Sequence, residues 1–139
     1  MILMLDTNIV LDILLKRDPF FKDSFLTAAN IEENGDMAII SSSAVTDLFY
    51  IIKKAVGNDK AKEAIANLKE FFSIAAVESS DIDDALSSKI FDFEDALVSA
   101  ISKKHNADYI ITRNKKDFKS STVPALTPKE FLKLLGTAK

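Results

Sequence analysis

The sequence predicts an α/β protein whose parallel sheet is flanked by helices on both faces. Short apolar runs, typical of strands buried on both faces, alternate along the chain with apolar residues at helical spacing. Such alternation is typical of parallel strands joined by helical crossovers. The chain has 139 residues, only three glycines and three prolines, and no linker-like or low-complexity tract. Residues 1–139 are therefore expected to form one domain.

Four apolar runs indicate the strands. They lie at residues 2–5, 37–41, 74–77 and 109–112. Apolar spacing indicates seven helices, which lie near residues 9–14, 19–35, 44–57, 59–72, 81–88, 92–104 and 128–135.

Residues that favour helix ends support several of these boundaries. Pro19 suits a first helical turn and Gly35 the position after a helix, while Asp59 is expected to cap the fourth helix. Thr127 and Glu130 have the spacing of a capping box, with proline between them at the first helical position. The last helix is therefore predicted to begin directly after Thr127.

The polar triplet Asp6-Thr7-Asn8 interrupts an otherwise apolar opening. It follows the first predicted strand, at the edge of a parallel sheet where α/β proteins place their ligands. Asp6 or Thr7 could instead simply cap the next helix. The triplet alone slightly favours that structural role, so a chemical role for Asp6 depends on other carboxylates lying beside it.

Composition restricts the kinds of site that the chain can form. It contains no cysteine and one histidine, His105, which excludes thiolate sites and a multi-histidine zinc site within one chain. A bound metal would have oxygen ligands, as Mg²⁺, Mn²⁺ and Ca²⁺ prefer. The net charge of −3 argues against a nonspecific nucleic-acid coat. Without a run of membrane-spanning length, a cytoplasmic protein is expected.

Polar residues at other element ends are expected to join Asp6. Asn114 follows the strand at 109–112, and Asp95 lies near the start of the helix that leads into that strand. Capping alone would explain Asp92 and Asp95. Together, however, these residues could converge on one edge of the sheet, where carboxylates repel one another unless a cation or a shared proton is present. Such a group suits metal-assisted hydrolysis of a phosphodiester.

Three segments make the sequence resemble the PIN-domain family, and in particular its small VapC-type toxin ribonucleases. They are MLDTNIVLDILLKRDPFF, ISSSAVTDLFYIIKK and FDFEDALVSAISKKHNADYIITRNKKDF, and the likeness continues through the tail VPALTPKEFL. The resemblance implies a three-layer α/β/α sandwich with a mainly parallel sheet. It also implies an acidic nuclease centre that uses Mg²⁺ or Mn²⁺ to cleave RNA.

The resemblance also implies which residues form that centre. Asp6 and Asp95 match family acids and would hold the metal, and Asp47 stands where the family usually has a longer glutamate. Asn114 replaces the fourth acid, and Asp117 could restore its charge. The family pattern also implies supporting roles near the metal or its water for the following residues: Thr7, Asn8, Ser43 and Thr112.

Partners are predicted from basic and aromatic residues. Arg113 and Lys116 adjoin the proposed centre and are expected to contact the RNA backbone. Adjacent aromatic pairs cannot both point inward on a helix, which predicts surplus apolar surface for another chain. The resemblance implies a homodimer and, for toxins, an antitoxin.

Two alternatives remain at this point. The first is a catalytically weakened PIN fold that binds RNA or a protein, which Asn114 and the short Asp47 motivate. The second is a phosphoacceptor signalling domain, which ranks last because the sequence lacks the early pair of acids that such a domain needs.

Overall fold

A computed structural model describes residues 1–136, and within that range it has five strands and seven helices. The strands are β1 Ile2–Leu5, β2 Met37–Ser41, β3 Ser73–Ala75, β4 Tyr109–Ile111 and β5 Ala125–Leu126. The helices are α1 Thr7–Leu14, α2 Phe21–Glu33, α3 Ser42–Val56, α4 Asn58–Phe71, α5 Ser79–Leu86, α6 Phe93–Lys104 and α7 Pro128–Leu134. A 3₁₀ turn covers Lys115–Phe118. Every predicted element is present, while the two-residue β5 and the 3₁₀ turn were missed.

The five strands form one parallel sheet in the order β3-β2-β1-β4-β5. β1 lies at its centre, and the chain builds the sheet outward on one side of β1 before crossing to β4 on the other. The Asp6 N–H extends the β1–β4 pairing by donating to the Ile111 carbonyl at 3.0 Å. This reversal of strand order opens a crevice at the carboxyl ends of β1 and β4, where ligands of α/β sheets bind.

Alternate residues of the central strands enter two separate cores, which makes the fold the predicted α/β/α sandwich. Leu3 and Leu5 of β1 pack with α1, α2, α3, α4 and α7, whereas Met4 packs on the opposite face with α6 and the 3₁₀ turn. This two-sided burial explains why the strands are apolar runs rather than alternating patterns.

Helix ends agree with the sequence at most positions. Asp92 caps α6 by accepting from the Asp95 N–H at 3.0 Å, and the Thr127–Glu130 capping box is present. Gly35 follows α2 with a φ of 73°, a left-handed conformation that glycine adopts without a Cβ clash. The predicted cap of α4 was wrong: Gly57 occupies that position, and Asp59 lies in the first turn.

The adjacent aromatic pairs leave apolar surface exposed, as predicted. One member of each pair is exposed, namely Phe20, Tyr50 and Phe71, while its neighbour is partly buried. Among residues 1–136, no helix has both the length and the apolar character needed to span a bilayer.

An ion pair between the buried Asp81 and the partly exposed Lys104 connects α5 to α6. Asp81 accepts from the Lys104 ammonium at 2.6 Å and from the Glu78 N–H at 2.8 Å. Burial alone would raise the pKa of the Asp81 carboxyl, but the bonds from Lys104 and Glu78 outweigh it and hold this pKa below its usual value. The ionised carboxylate therefore stabilises the folded chain at neutral pH.

We expect the Asp81→Asn variant to lose about 1–3 kcal/mol of unfolding free energy at pH 7, because it weakens charge-assisted bonds of a buried group. Since the folded pKa is lowered, the contribution of Asp81 is present above pH 4 and is lost as the pH falls through the folded pKa. Urea unfolding at pH 7 and pH 3 measures this difference. Asp83→Asn, at an exposed site on the same helix, is the control, and an equal loss there would contradict the assignment.

Candidate active site

A cleft of about 420 Å³ lies at the carboxyl ends of β1 and β4 and beside the start of α6. Its acidic lining consists of Asp6, Asp92, Glu94, Asp95 and Asp117. Two arginines, several neutral polar side chains and three apolar side chains also line the cleft, namely Arg17, Arg113, Thr7, Asn8, Ser43, Asn114, Leu11, Ala44 and Val98. Most of the residues predicted from the sequence therefore share one cavity.

Asp6 is held in a fixed orientation at the floor of the cleft. Its Oδ1 accepts from the Thr7 N–H at 2.9 Å, and its Oδ2 accepts from the Thr112 hydroxyl at 2.8 Å and the Asn8 amide at 3.3 Å. The Thr112 hydroxyl in turn accepts from the Asn114 N–H at 3.0 Å. Asp6 also caps α1, so the structural and chemical interpretations of this residue are compatible.

The pKa of Asp6 is raised, chiefly because the carboxyl is buried. The hydrogen bonds from Thr112 and Thr7 act in the opposite direction, while the charges of Asp117 and Asp92 raise the pKa further. An opposite charge entering the cleft would therefore stabilise the ionised form of Asp6.

Burial and acidic neighbours both act on Asp95. It lies in the first turn of α6, and its pKa is raised to about 7 by burial and then by the charges of Asp6, Asp92 and Asp117. A carboxyl near the start of a helix normally benefits from the helix dipole. Burial and repulsion within the cleft together outweigh that benefit, and the repulsion comes from negative charge that the cleft does not fully compensate.

Asp47 is not part of the cleft wall. It is exposed on α3, and its carboxyl shares a hydrogen bond with Glu94. This bond, followed by burial and the charges of Asp47, Asp92 and Asp95, raises the pKa of Glu94 to about 7. Asp47 thus reaches the cleft only through Glu94, which the sequence analysis missed although it directly precedes Asp95.

The predicted basic loop divides into two parts. Arg113 lines the cleft, whereas Lys116 is exposed outside it and Lys115 pairs with Glu130 at 2.9 Å. Asn114 and Asp117 face the cleft from the same loop, so the 3₁₀ turn brings an amide and a carboxylate to one wall.

Asp12 is a further charged residue that the sequence analysis did not select. It is fully buried in α1 and contacts both Arg17 and Arg113 at about 3 Å. Its position among apolar residues of an inward-facing helix was an available signal, because an inward carboxylate requires a counter-charge. The chain has only two arginines, which was a second signal.

The donor chemistry of the cleft fits a hard divalent cation. Carboxylate, amide and hydroxyl oxygens surround it, and the raised pKa of Asp95 reflects unbalanced negative charge. Within residues 1–136, no three acidic or histidine side chains form a metal-binding group on their own. Mg²⁺ commonly uses one or two carboxylates and completes its shell with water and substrate phosphates. Asp6 and Asp95 could supply such a pair.

Solved structures with the same fold include several toxin proteins. VapBC2 of Rickettsia felis, bound to a promoter DNA fragment, matches with a TM-score of 0.69 and 20% identity over 91% of this chain and 98% of the matched chain. A toxin–antitoxin complex from Klebsiella pneumoniae matches with a TM-score of 0.67 and 22% identity over 90% and 96%. VapC20 of Mycobacterium tuberculosis, a sarcin–ricin loop cleaving toxin, matches with a TM-score of 0.59 and 15% identity over 78% and 86%.

At these identities the structural likeness concerns the fold. No curated protein matches the chain by sequence. A family model for the PIN domain, however, matches residues 3–116, which include every acidic residue of the cleft except Asp117. By this match over most of its length, and by the parallel sheet with acids at the ends of β1 and β4, the chain belongs to the PIN-domain family.

Proposed function

We propose that the protein is a divalent-metal-dependent ribonuclease of the PIN type. The observation that carries the proposal is the cleft at the ends of β1 and β4, in which burial, followed by the charges of neighbouring carboxylates, raises the pKa of Asp95 to about 7. A cluster of this kind is stable in its ionised form only with a cation beside it. Membership of the PIN-domain family supports RNA hydrolysis as the reaction.

In this proposal Asp6 and Asp95 hold Mg²⁺ or Mn²⁺. Asn114 and Asp117 add oxygens to the lining of the same cleft, and Asp47 acts through its hydrogen bond to Glu94. Asn114 contributes a neutral oxygen where family members have an acid, so the attraction for the cation is weaker than with a further carboxylate. The contribution of Asp117 compensates in part.

The bound cation would polarise a phosphoryl oxygen of the substrate and lower the pKa of the attacking water. The chain's own residues orient the groups around it. Thr112 and Asn8 fix the Asp6 carboxylate by their hydrogen bonds to Oδ2, and Thr7 fixes Oδ1. Ser43 also lines the cleft, and the 2.7 Å bond between its hydroxyl and that of Ser41 holds it at the start of α3.

RNA is the proposed substrate, and its backbone would meet the basic side of the cleft. Arg113 lines the cavity and offers a guanidinium to a phosphate, and Lys116 lies exposed on the same loop. The likeness in fold to VapC20, a sarcin–ricin loop cleaving toxin, is consistent with an RNA substrate.

We further propose an antitoxin as a protein partner. An apolar groove of about 380 Å³ runs between α1, α2 and α4 and is lined by Phe25, Phe71 and Phe72 among others. Toxin–antitoxin complexes are among the structures with the same fold, which supports a partner segment in this groove. The exposed Phe91 and Phe93, just before and at the start of α6, support a second copy of the chain as another partner.

A weakened PIN fold that binds RNA or protein without turnover is the second candidate. Asn114 in place of an acid and the position of Asp47 outside the cleft favour it. The cleavage and cation measurements below separate the two candidates.

We expect the protein to cleave a mixed pool of single-stranded RNA when Mg²⁺ or Mn²⁺ is present and to lose cleavage when EDTA is added. Asp6→Asn and Asp95→Asn should each lower the rate at least about 100-fold, because each removes a charged ligand from a site that depends on charge. Gel analysis of the products measures this. The exposed Asp83→Asn variant should cleave like the wild type, and equal activity of all four proteins would reject the assignment.

Cation binding should also appear without RNA. When Mn²⁺ is present at tenfold excess over its dissociation constant, the folded chain should gain about 1.4 kcal/mol and a higher melting temperature. Asp6→Asn and Asp95→Asn should remove most of this shift, whereas Asp83→Asn should retain it. A wild-type protein whose melting temperature does not respond to Mn²⁺ or Mg²⁺ would favour the module without turnover.

Without divalent cations, the Asp95→Asn variant should have a higher free energy of unfolding than the wild type at pH 8, by about 1–2 kcal/mol. This figure allows for solvent screening, because Asp95 is partly exposed. The pKa of Asp95 is raised on folding, so its ionisation destabilises the folded state increasingly between pH 4 and pH 7 and fully above that range. Thermal unfolding in EDTA at pH 4 and pH 8 measures the difference. A stabilisation that is as large at pH 4 would contradict this electrostatic origin.

A further inference from the structure

Both arginines of the chain are held by one buried carboxylate. Asp12 is fully buried in α1, and its two oxygens contact Arg17 and Arg113, which are 5 and 101 residues away in sequence. Arg113 is bound by both carboxylate oxygens, with Nε at 2.8 Å from Oδ2 and an Nη at 3.3 Å from Oδ1. Arg17 approaches Oδ1 at 3.1 Å through an Nη.

Further contacts restrict each guanidinium. The Arg113 guanidinium carbon lies 3.9 Å from the centre of the Phe20 ring, in a cation–π contact. An Arg17 Nη donates to the Asn8 backbone carbonyl at 3.4 Å. The backbone N–H of Arg113 donates to the Asn8 Oδ1, also at 3.4 Å. Asn8 is also the residue whose amide binds Asp6. The two arginines are therefore fixed relative to the acidic wall of the cleft.

The charges around Asp12 do not balance. One buried carboxylate faces two guanidiniums, which leaves a surplus positive charge at this end of the cleft. Both arginine side chains line the cleft and remain partly exposed, at 38% for Arg17 and 26% for Arg113. Each guanidinium has five N–H donors, and the bonds to Asp12 use only some of them. Donors remain for an anion.

We propose that Arg17 and Arg113 form a phosphate clamp for the RNA strand and that Asp12 is the positioning residue of this clamp. The inference rests on the proposed ribonuclease function and extends it. The acidic wall takes the cation at the phosphate that is cleaved, and the two arginines take a neighbouring phosphate of the same strand. Arginine suits this role because the N–H donors of its planar guanidinium match the spacing of phosphate oxygens. Asp12 fixes the orientation of both guanidiniums before RNA binds.

The clamp predicts a defect in substrate binding rather than in chemistry. Arg17→Gln and Arg113→Gln should each raise KM about tenfold and leave kcat within about twofold, since they remove contacts made equally before and during the reaction. The logarithm of the RNA association constant falls linearly with the logarithm of the salt concentration. Each variant should make this slope shallower by about 0.7, the value for one phosphate contact on a single strand. Lys62→Gln, which removes an exposed cation on α4, is the matched control.

The positioning role of Asp12 has its own variants. Asp12→Asn keeps the shape of the side chain but removes the charge that orients the two guanidiniums. It should raise KM as much as the arginine variants do, although both arginines are still present. Arg17→Lys keeps the charge but not the fork, and it should retain the salt slope while recovering only part of the affinity. If Asp12→Asn does not fold, as thermal unfolding would reveal, the partly exposed Arg17 variants still test the clamp.

The decisive measurements are steady-state cleavage of a labelled single-stranded RNA and binding of the same RNA in EDTA, which removes the cation that the proposed cleavage requires. The expected result is weaker binding by the arginine and Asp12 variants with near wild-type kcat. The clamp would be overturned if the arginine and Asp12 variants fold and have the same KM, RNA affinity and salt slope as Lys62→Gln. RNA cleavage by the wild type would then still support the ribonuclease proposal. A wild type that neither cleaves nor binds RNA would overturn the ribonuclease proposal as well.

Discussion

Parallel pairing of β1 with β4 is the constraint on which the rest of the site depends. It places Asp6 and Thr112, 106 residues apart in sequence, within a hydrogen bond of 2.8 Å at the end of the sheet. The Asp6 N–H continues the ladder to the Ile111 carbonyl, so the backbone of the acidic residue is itself part of the sheet. Because α6 leads into β4, the same pairing carries Asp95 to this edge. The cleft is thus a consequence of strand order.

Charge in this cleft is separated into two ends. Burial, and then repulsion between carboxylates at the end of β1 and the start of α6, raises the pKa of Asp95 to about 7, so its ionisation lowers the stability of the folded chain above neutral pH. At the other end, the single carboxylate of Asp12 pairs with both arginines, so one positive charge is left without a partner charge there. A strand of nucleic acid with a divalent cation has the charge pattern that complements both ends.

Two residues that depart from the family pattern have acidic neighbours. Asn114 contributes an amide where an acid is usual, and Asp117 adds a carboxylate to the same wall one 3₁₀ turn later. The short Asp47 stays on the surface of α3, and Glu94 reaches from α6 to share its hydrogen bond. Perturbed carboxyls of this kind are characteristic of functional sites, although structural charge networks produce them too. The cation and cleavage measurements therefore decide the role of this pair.

Local patterns in the sequence by themselves determined the element types, the α/β class and most of the acids at strand and helix ends, because strand burial, helical spacing and caps depend on nearby residues. β5 was not predicted because a strand of two residues is too short to show a pattern. The N-cap of α4 is Gly57 and not the predicted Asp59. Only the tertiary structure decided that Asp47 pairs with Glu94 and that Asp12 joins both arginines. Those contacts depend on how separate elements pack, and a buried charge selects its partner by proximity in space rather than by spacing along the chain.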